Sequence, residues 1–247
     1  LYIAGSKTPK FSKGDLDKLR TFVQQGGCIL SVTECNGGAF STGMGAVYAK
    51  LFPQYELTPL GADHALYNLH YRLGGKPEMS IVSNGVRPLA IHTRADLAKA
   101  WQMRKTSSEK AAFEIAANVY VYLTGGMPLR PRGTSNWPLR SRSGGGPAVE
   151  VIRLKHNGNA NPEPLAWERF SLLMRNAGAA QVKVRGPSLI ASVTGAKGRV
   201  AVLSGTNEFK LSEAEKAALE KFVADGGTLL VEAVGGVKMK TDATGTR

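Results

Sequence analysis

Apolar positions along this chain come in two rhythms. Short, mainly apolar runs fall at Leu1 to Ala4, Cys28 to Val32, Met79 to Val82, Leu89 to His92, Val149 to Leu154, Val182 to Val184, Leu189 to Val193, Val200 to Leu203 and Thr228 to Val231. Their length suits strands buried on both faces. Between them lie stretches with a helical period. Leu16, Leu19, Phe22 and Val23 recur at i, i+3 and i+4, as do Leu219, Phe222 and Val223, so each set forms one apolar stripe. Further helices are predicted from Ser41, as cap, to Phe52 before Pro53, from Ser107 to Leu123, and from Leu165 to Asn176. Residues 54 to 78 read as loop. Strands alternating with helices predict an α/β protein: a three-layer α/β/α sandwich with a mostly parallel, flavodoxin-like sheet.

One unit occurs twice. Residues 5 to 30 align without a gap on residues 205 to 230, and 9 of the 26 positions are identical, where average usage gives roughly two. The shared residues have physical roles. Ser12 and Ser212 are placed to cap a helix, and Ser212 with Glu215 forms a capping box. Gly26-Gly27 and Gly226-Gly227 supply the positive φ that ends one. Each copy therefore reads as β-α-β, and a right-handed crossover makes its two strands parallel.

With 247 residues, 43% of them apolar, the chain has enough material for a core without staples. Its two cysteines, Cys28 and Cys35, form no metal-binding spacing, and the four histidines, His64, His70, His92 and His156, are scattered, so no metal site is expected. No cofactor motif is present. No run approaches the roughly 18 apolar residues of a membrane span, and the opening Leu1-Tyr2-Ile3-Ala4 reads as internal to a longer gene product. The net charge of +13 raises the prior for a polyanionic partner. Between Glu114 and Glu150 no residue is acidic, while Arg130, Arg132, Arg140 and Arg142 lie among glycine, proline and serine. That stretch, 126 to 148, reads as a basic linker in which nucleic-acid binding is an alternative to plain solvation, and Trp137 as its anchor.

Leu1-Tyr2-Ile3-Ala4-Gly5, Phe11-Ser12, Gly26-Gly27, Cys35-Asn36-Gly37 with Phe40, Leu51-Phe52-Pro53, Asp63-His64 and Asn118 to Gly125 together resemble a bacterial family named domain of unknown function 4159. The resemblance implies a fold related to class I glutamine amidotransferase-like domains. It also implies that residues 1–125 are the C-terminal portion of one copy and 149–247 the N-terminal portion of a second. Members often look exported or membrane-associated, which implies a periplasmic or membrane-bound setting through segments outside this chain. The family has no established activity. Relative to its pattern, the resemblance implies two extra residues in the first copy between Gly27 and Glu34, whereas Glu232 follows Gly227 at the usual interval.

Residues just past the C-terminal ends of parallel strands are where open α/β sheets place ligands. Cys35 as nucleophile, His64 as base and Glu34 or Asp63 as orienter make a cysteine hydrolase or amidotransferase one reading. Against it, Glu34-Cys35-Asn36 lacks the glycine that precedes an elbow nucleophile, and the second copy has no thiol there. The glycine-rich segment from Gly37 to Gly45 predicts a turn that exposes amides to an anion, with Gly37, Gly38, Ser41 and Asp63 as ligand contacts. The favoured reading is a non-catalytic module that binds a protein partner or a small ligand, with the cysteine enzyme and a polyanion binder as alternatives.

Overall fold

The computed structural model describes residues 1–125, 137–141, 145–194 and 199–235. The chain divides into two compact units, Leu1–Thr134 and Ser135–Arg247. Among the described residues, no helix is long and apolar enough to cross a membrane.

The first unit runs β1 (Tyr2–Gly5), α1 (Lys13–Gln24), β2 (Ile29–Thr33), α2 (Gly38–Leu51), β3 (Leu57–Pro59), a 3-10 turn at Ala65–Tyr67, β4 (Met79–Ser83), β5 (Pro88–Thr93), α3 (Leu97–Gln102) and α4 (Lys110–Thr124). Its sheet has the order β1-β2-β5-β4-β3. β1, β2 and β5 are parallel, while β4 runs antiparallel to both β5 and β3. The pleat sorts the apolar side chains to two faces. Ile29, Val82 and Ala90 pack with Val23 of α1 and Phe40, Met44 and Val47 of α2. Val32, Ile81 and Ile91 pack with Leu97 of α3 and Ile115 and Val119 of α4. The layers are helix, sheet, helix.

The second unit runs β6 (Ala148–Lys155), α5 (Ala166–Asn176), β7 (Gln181–Leu189), a 3-10 turn at Ile190–Ser192, β8 (Arg199–Gly205), α6 (Glu213–Ala224) and β9 (Thr228–Ala233). The order is β7-β6-β8-β9, and every pair is parallel. Its core joins Ile152, Leu154, Ala201 and Leu203 to Leu219 and Phe222 of α6.

Four local expectations need correction. Ser41 does not cap α2, which starts at Gly38 behind Gly37; the serine lies inside the helix and is bonded elsewhere. Residues 54–78 contain β3, held by pairing to β4, and the 3-10 turn, neither of which has a local periodic signal. The helix expected from Ser107 starts at Lys110, and a separate α3 precedes it, N-capped by Asp96. Val182–Val184 belongs to one strand that continues through Gly186-Pro187 to Leu189, with a register shift opposite, and residues 190–192 turn as 3-10.

The same β-α-β geometry stands in both units at an offset of 200 residues: Tyr2 pairs with Leu30 as Val202 pairs with Leu230, and Gly5 with Thr33 as Gly205 with Ala233. Ser12 and Ser212 accept from the amides of Asp15 and Glu215 at 3.2 and 3.3 Å, and those carboxylates accept back from the serine amides at 2.9 and 2.8 Å. The first box is thus present too, with aspartate where the motif has glutamate. Gly26 and Gly226 take φ of 104° and 89°. A Cβ on Gly27 or Gly227 would collide with the ring of Phe22 or Phe222. The offset persists past the strands, because the Glu34 amide donates to Gly5 as the Val234 amide donates to Gly205. Between the two units the count is therefore equal: Glu34 corresponds to Val234, and Glu232 to Val32 in the strand.

Ser12→Ala and Ser212→Ala should each destabilise the helix they cap by about 1 kcal/mol, seen as faster amide hydrogen exchange confined to α1 or α6. Unchanged exchange in both variants would show that the boxes do not hold these helix starts.

Candidate functional site

β2 and β5 are parallel neighbours, so both deliver side chains to the same end of the sheet. Ser31 and Thr33 are two apart on β2 and therefore share a face. His92, paired in register with Ser31, lies on that face, which α2 covers. Past Thr33 the chain turns sharply: Cys35 and Asn36 both adopt positive φ, 50° and 54°, a costly conformation for residues with a Cβ. The Asp96 carboxylate braces this turn by accepting from the Cys35 amide at 2.9 Å, while its other oxygen caps α3 at Lys99. Gly37 follows, and only glycine fits, because a Cβ would run into the Ser6 backbone. Gly43 admits Pro9 against α2 in the same way. Two glycines of the predicted anion loop thus serve close packing.

A cavity of about 380 Å³ opens here, lined by Thr33, Asn36, Gly38, Ser41, Thr42 and Arg94. Among the expected ligand contacts, Gly38 and Ser41 are on its wall. Gly37 caps α2 behind it, and Asp63 is exposed in the segment after β3.

Behind the cavity runs a chain of buried polar groups. The Tyr48 hydroxyl donates to Ser31 Oγ at 2.7 Å, Ser31 Oγ meets His92 Nδ1 at 2.7 Å, and His92 Nε2 meets Ser41 Oγ at 2.8 Å. Burial, then the nearby Arg94 charge, holds the His92 pKa below its ordinary 6.5, so the imidazole is neutral and carries one ring proton. If Nδ1 held that proton, Ser31 would accept twice and its own proton would be left buried without an acceptor. With the proton on Nε2, every donor is used in one direction, Tyr48 to Ser31 to His92 to Ser41. The Ser41 hydroxyl proton is then directed away from the chain. Close by, Thr33 is only 2% exposed, and its Oγ1 has no hydrogen-bond partner among the described residues.

The residues of the cysteine-enzyme reading lie as follows. Cys35 is exposed in the turn after β2. His64 follows β3, which β5 and β4 separate from β2. Its Nδ1 accepts from the Leu66 amide at 3.2 Å, its ring stands edge-on to Tyr122 at 5.6 Å, and burial lowers its pKa. Among the described residues no hydrogen bond joins the Cys35 thiol to that ring. Glu34 is half-buried, and its amide is tied to Gly5. Cys28 is mostly buried, and desolvation pushes its thiol up to about 11. Arg140 is exposed, whereas Arg130, Arg132 and Arg142 lie outside the described residues. Among the described residues, no group of three or more His, Cys, Asp or Glu could hold a metal ion. In the second unit His156 uses both nitrogens internally, accepting from the Gly158 amide and bonding the Ser204 carbonyl, and it stacks on Phe209 at 3.8 Å.

Sequence reading missed Thr33, Ser31, Tyr48, His92 and Arg94 as one group. The available signal was polar residues at alternate positions of apolar strands, Ser31 and Thr33 on β2 and His92 and Arg94 at the end of β5.

Two outcomes follow. His92 and His64 have folded pKa values below 6.5, so as the pH falls through that value the unfolded chain takes up protons first. Their contribution to stability is complete above pH 6.5 and declines below it; His92→Asn should flatten the fall in melting temperature, and an unchanged slope would remove His92 from the network. At pH 8 a maleimide should label Cys35 well before Cys28, whose thiol is protonated and covered; equal rates would contradict this environment.

No curated protein and no solved structure matches this chain. Residues 1–124, the β1 to α4 sheet with its cavity and buried relay, match the family described as Domain of unknown function (DUF4159), and the chain belongs to that family.

Proposed function

We propose that this protein is a non-catalytic binding module of amidotransferase-like architecture, whose first unit takes a small ligand at the C-terminal ends of β2 and β5. The observation that carries this reading is the cavity of about 380 Å³ bounded by Thr33, Asn36, Gly38, Ser41, Thr42 and Arg94. It lies where parallel α/β sheets place ligands, and its volume suits a small molecule. Its wall offers hydroxyl, amide and guanidinium groups but neither thiol nor carboxylate, which favours holding a ligand over attacking one. The second unit reads as the opening half of a second copy, a view supported by matched caps and strand register at an offset of 200.

A fragment screen on the isotope-labelled full chain tests this. Ligands should shift the amides of Thr33, Ser41 and Arg94 and come off unchanged. Hits confined to other surfaces would defeat the site, and turnover that Cys35→Ala abolishes would establish the cysteine enzyme instead.

A further inference from the structure

The Thr33 hydroxyl is the least expected feature of the cavity. A buried hydroxyl with no partner is costly, and Thr33 Oγ1 is such a group, on a residue that lines the cavity together with Asn36, Gly38, Ser41, Thr42 and Arg94. It sits on the α2 face of β2, two residues beyond Ser31, and therefore on the side where Ser41 stands. Ser41, as the end of the one-way chain from Tyr48, has a hydroxyl proton with no acceptor among the described residues. Arg94 adds a cation whose ion pair among the described residues is with Glu78 at 3.8 Å, with both side chains 69% exposed, an arrangement that binds weakly. The 14-residue helix α2 opens at Gly38 with no side-chain cap, so its positive end is unneutralised. None of the lining residues carries a negative charge. The Thr33 and Ser41 hydroxyls can donate, and Arg94 and the start of α2 carry positive charge, so an anionic acceptor can meet all of them at once.

We propose that the cavity binds the anionic oxygens of a small ligand, a phosphate or carboxylate group, with the Thr33 and Ser41 hydroxyls donating to it and Arg94 as counter-charge. This rests on the cavity being a ligand site and adds the chemical class of what it holds. The buried relay is then a positioning device. Tyr48, Ser31 and His92 touch no ligand; they fix the direction in which Ser41 donates, which makes the site discriminate against cations and against ligands that offer only donors.

The test is an NMR titration of the full chain with inorganic phosphate, with acetate and with a neutral diol, all at one ionic strength. Phosphate or acetate should produce saturable shifts at Thr33, Ser41 and Arg94, and the stronger of the two identifies a tetrahedral or a planar anion. Thr33→Val should weaken that binding about tenfold or more, the worth of a hydrogen bond to a charged acceptor, and Arg94→Gln at least as much. Without ligand, Thr33→Val should melt no lower than the parent, because it removes an unmatched hydroxyl at constant shape; this separates lost binding from lost folding. If the diol saturates the cavity while neither anion does, the anion assignment fails and the ligand site stands. If anion affinity is the same in the parent and both variants, the assignment also fails. If nothing binds at these residues, both readings fall together.

Discussion

Everything at the candidate site hangs on the pairing of β2 with β5, two strands far apart in sequence whose register sets Ser31 directly beside His92. β2 lies inside its sheet, with β1 on one side and β5 on the other. A slip of one residue would turn His92 to the opposite face and bring Ile91 beneath α2. The register is protected because both faces of the strand are buried: Ile29 belongs to the α1 and α2 side and Val32 to the α3 and α4 side. Packing on two layers thus fixes a hydrogen-bonding geometry that the polar residues alone could not enforce.

The relay shows how a buried polar group can be tolerated. Ser31 and Tyr48 are almost completely buried, and each has a partner in the chain that ends at Ser41. A polar network is stable in a low-dielectric interior when each member is satisfied. Here the satisfaction is directional, and its last member stands at the cavity wall. The same reasoning makes His156 a structural residue in the second unit, since its two ring nitrogens are both spent on backbone.

The strands and helices built from local signals were legible in the chain. The β-α-β units were the clearest, because strand, cap, apolar stripe and terminal glycine pair agree in each. What escaped was made by contacts distant in sequence. β4 runs antiparallel although its apolar run, Met79 to Val82, looks like those of the parallel strands. β3 exists only because β4 offers it an edge. At the site, Gly38 and Ser41 are legible from the strand-to-helix turn, but the local pattern casts Ser41 as a cap, since nothing local tells a capping serine from one bonded to a histidine 51 positions later. Thr33 and Arg94 were invisible as partners, because each is unremarkable until the β2 and β5 ends are side by side. Glu34 stands opposite Gly5 as Val234 stands opposite Gly205, so between the two units its counterpart is a valine and not Glu232.

The strand orders carry a consequence for how the molecule behaves in a crowded solution. β8 has β6 on one flank and β9 on the other, whereas its counterpart β1 is paired on one flank among the described residues. Likewise β2 is flanked twice and its counterpart β9 once. Each unit therefore presents a row of open peptide groups on the flank that is sealed in its counterpart, and along β9 the exposed Leu230 and Val231 add stickiness to that row. Such borders recruit foreign strands, so keeping this protein monodisperse is a matter of masking these two backbone rims together with the outer edges of β3 and β7.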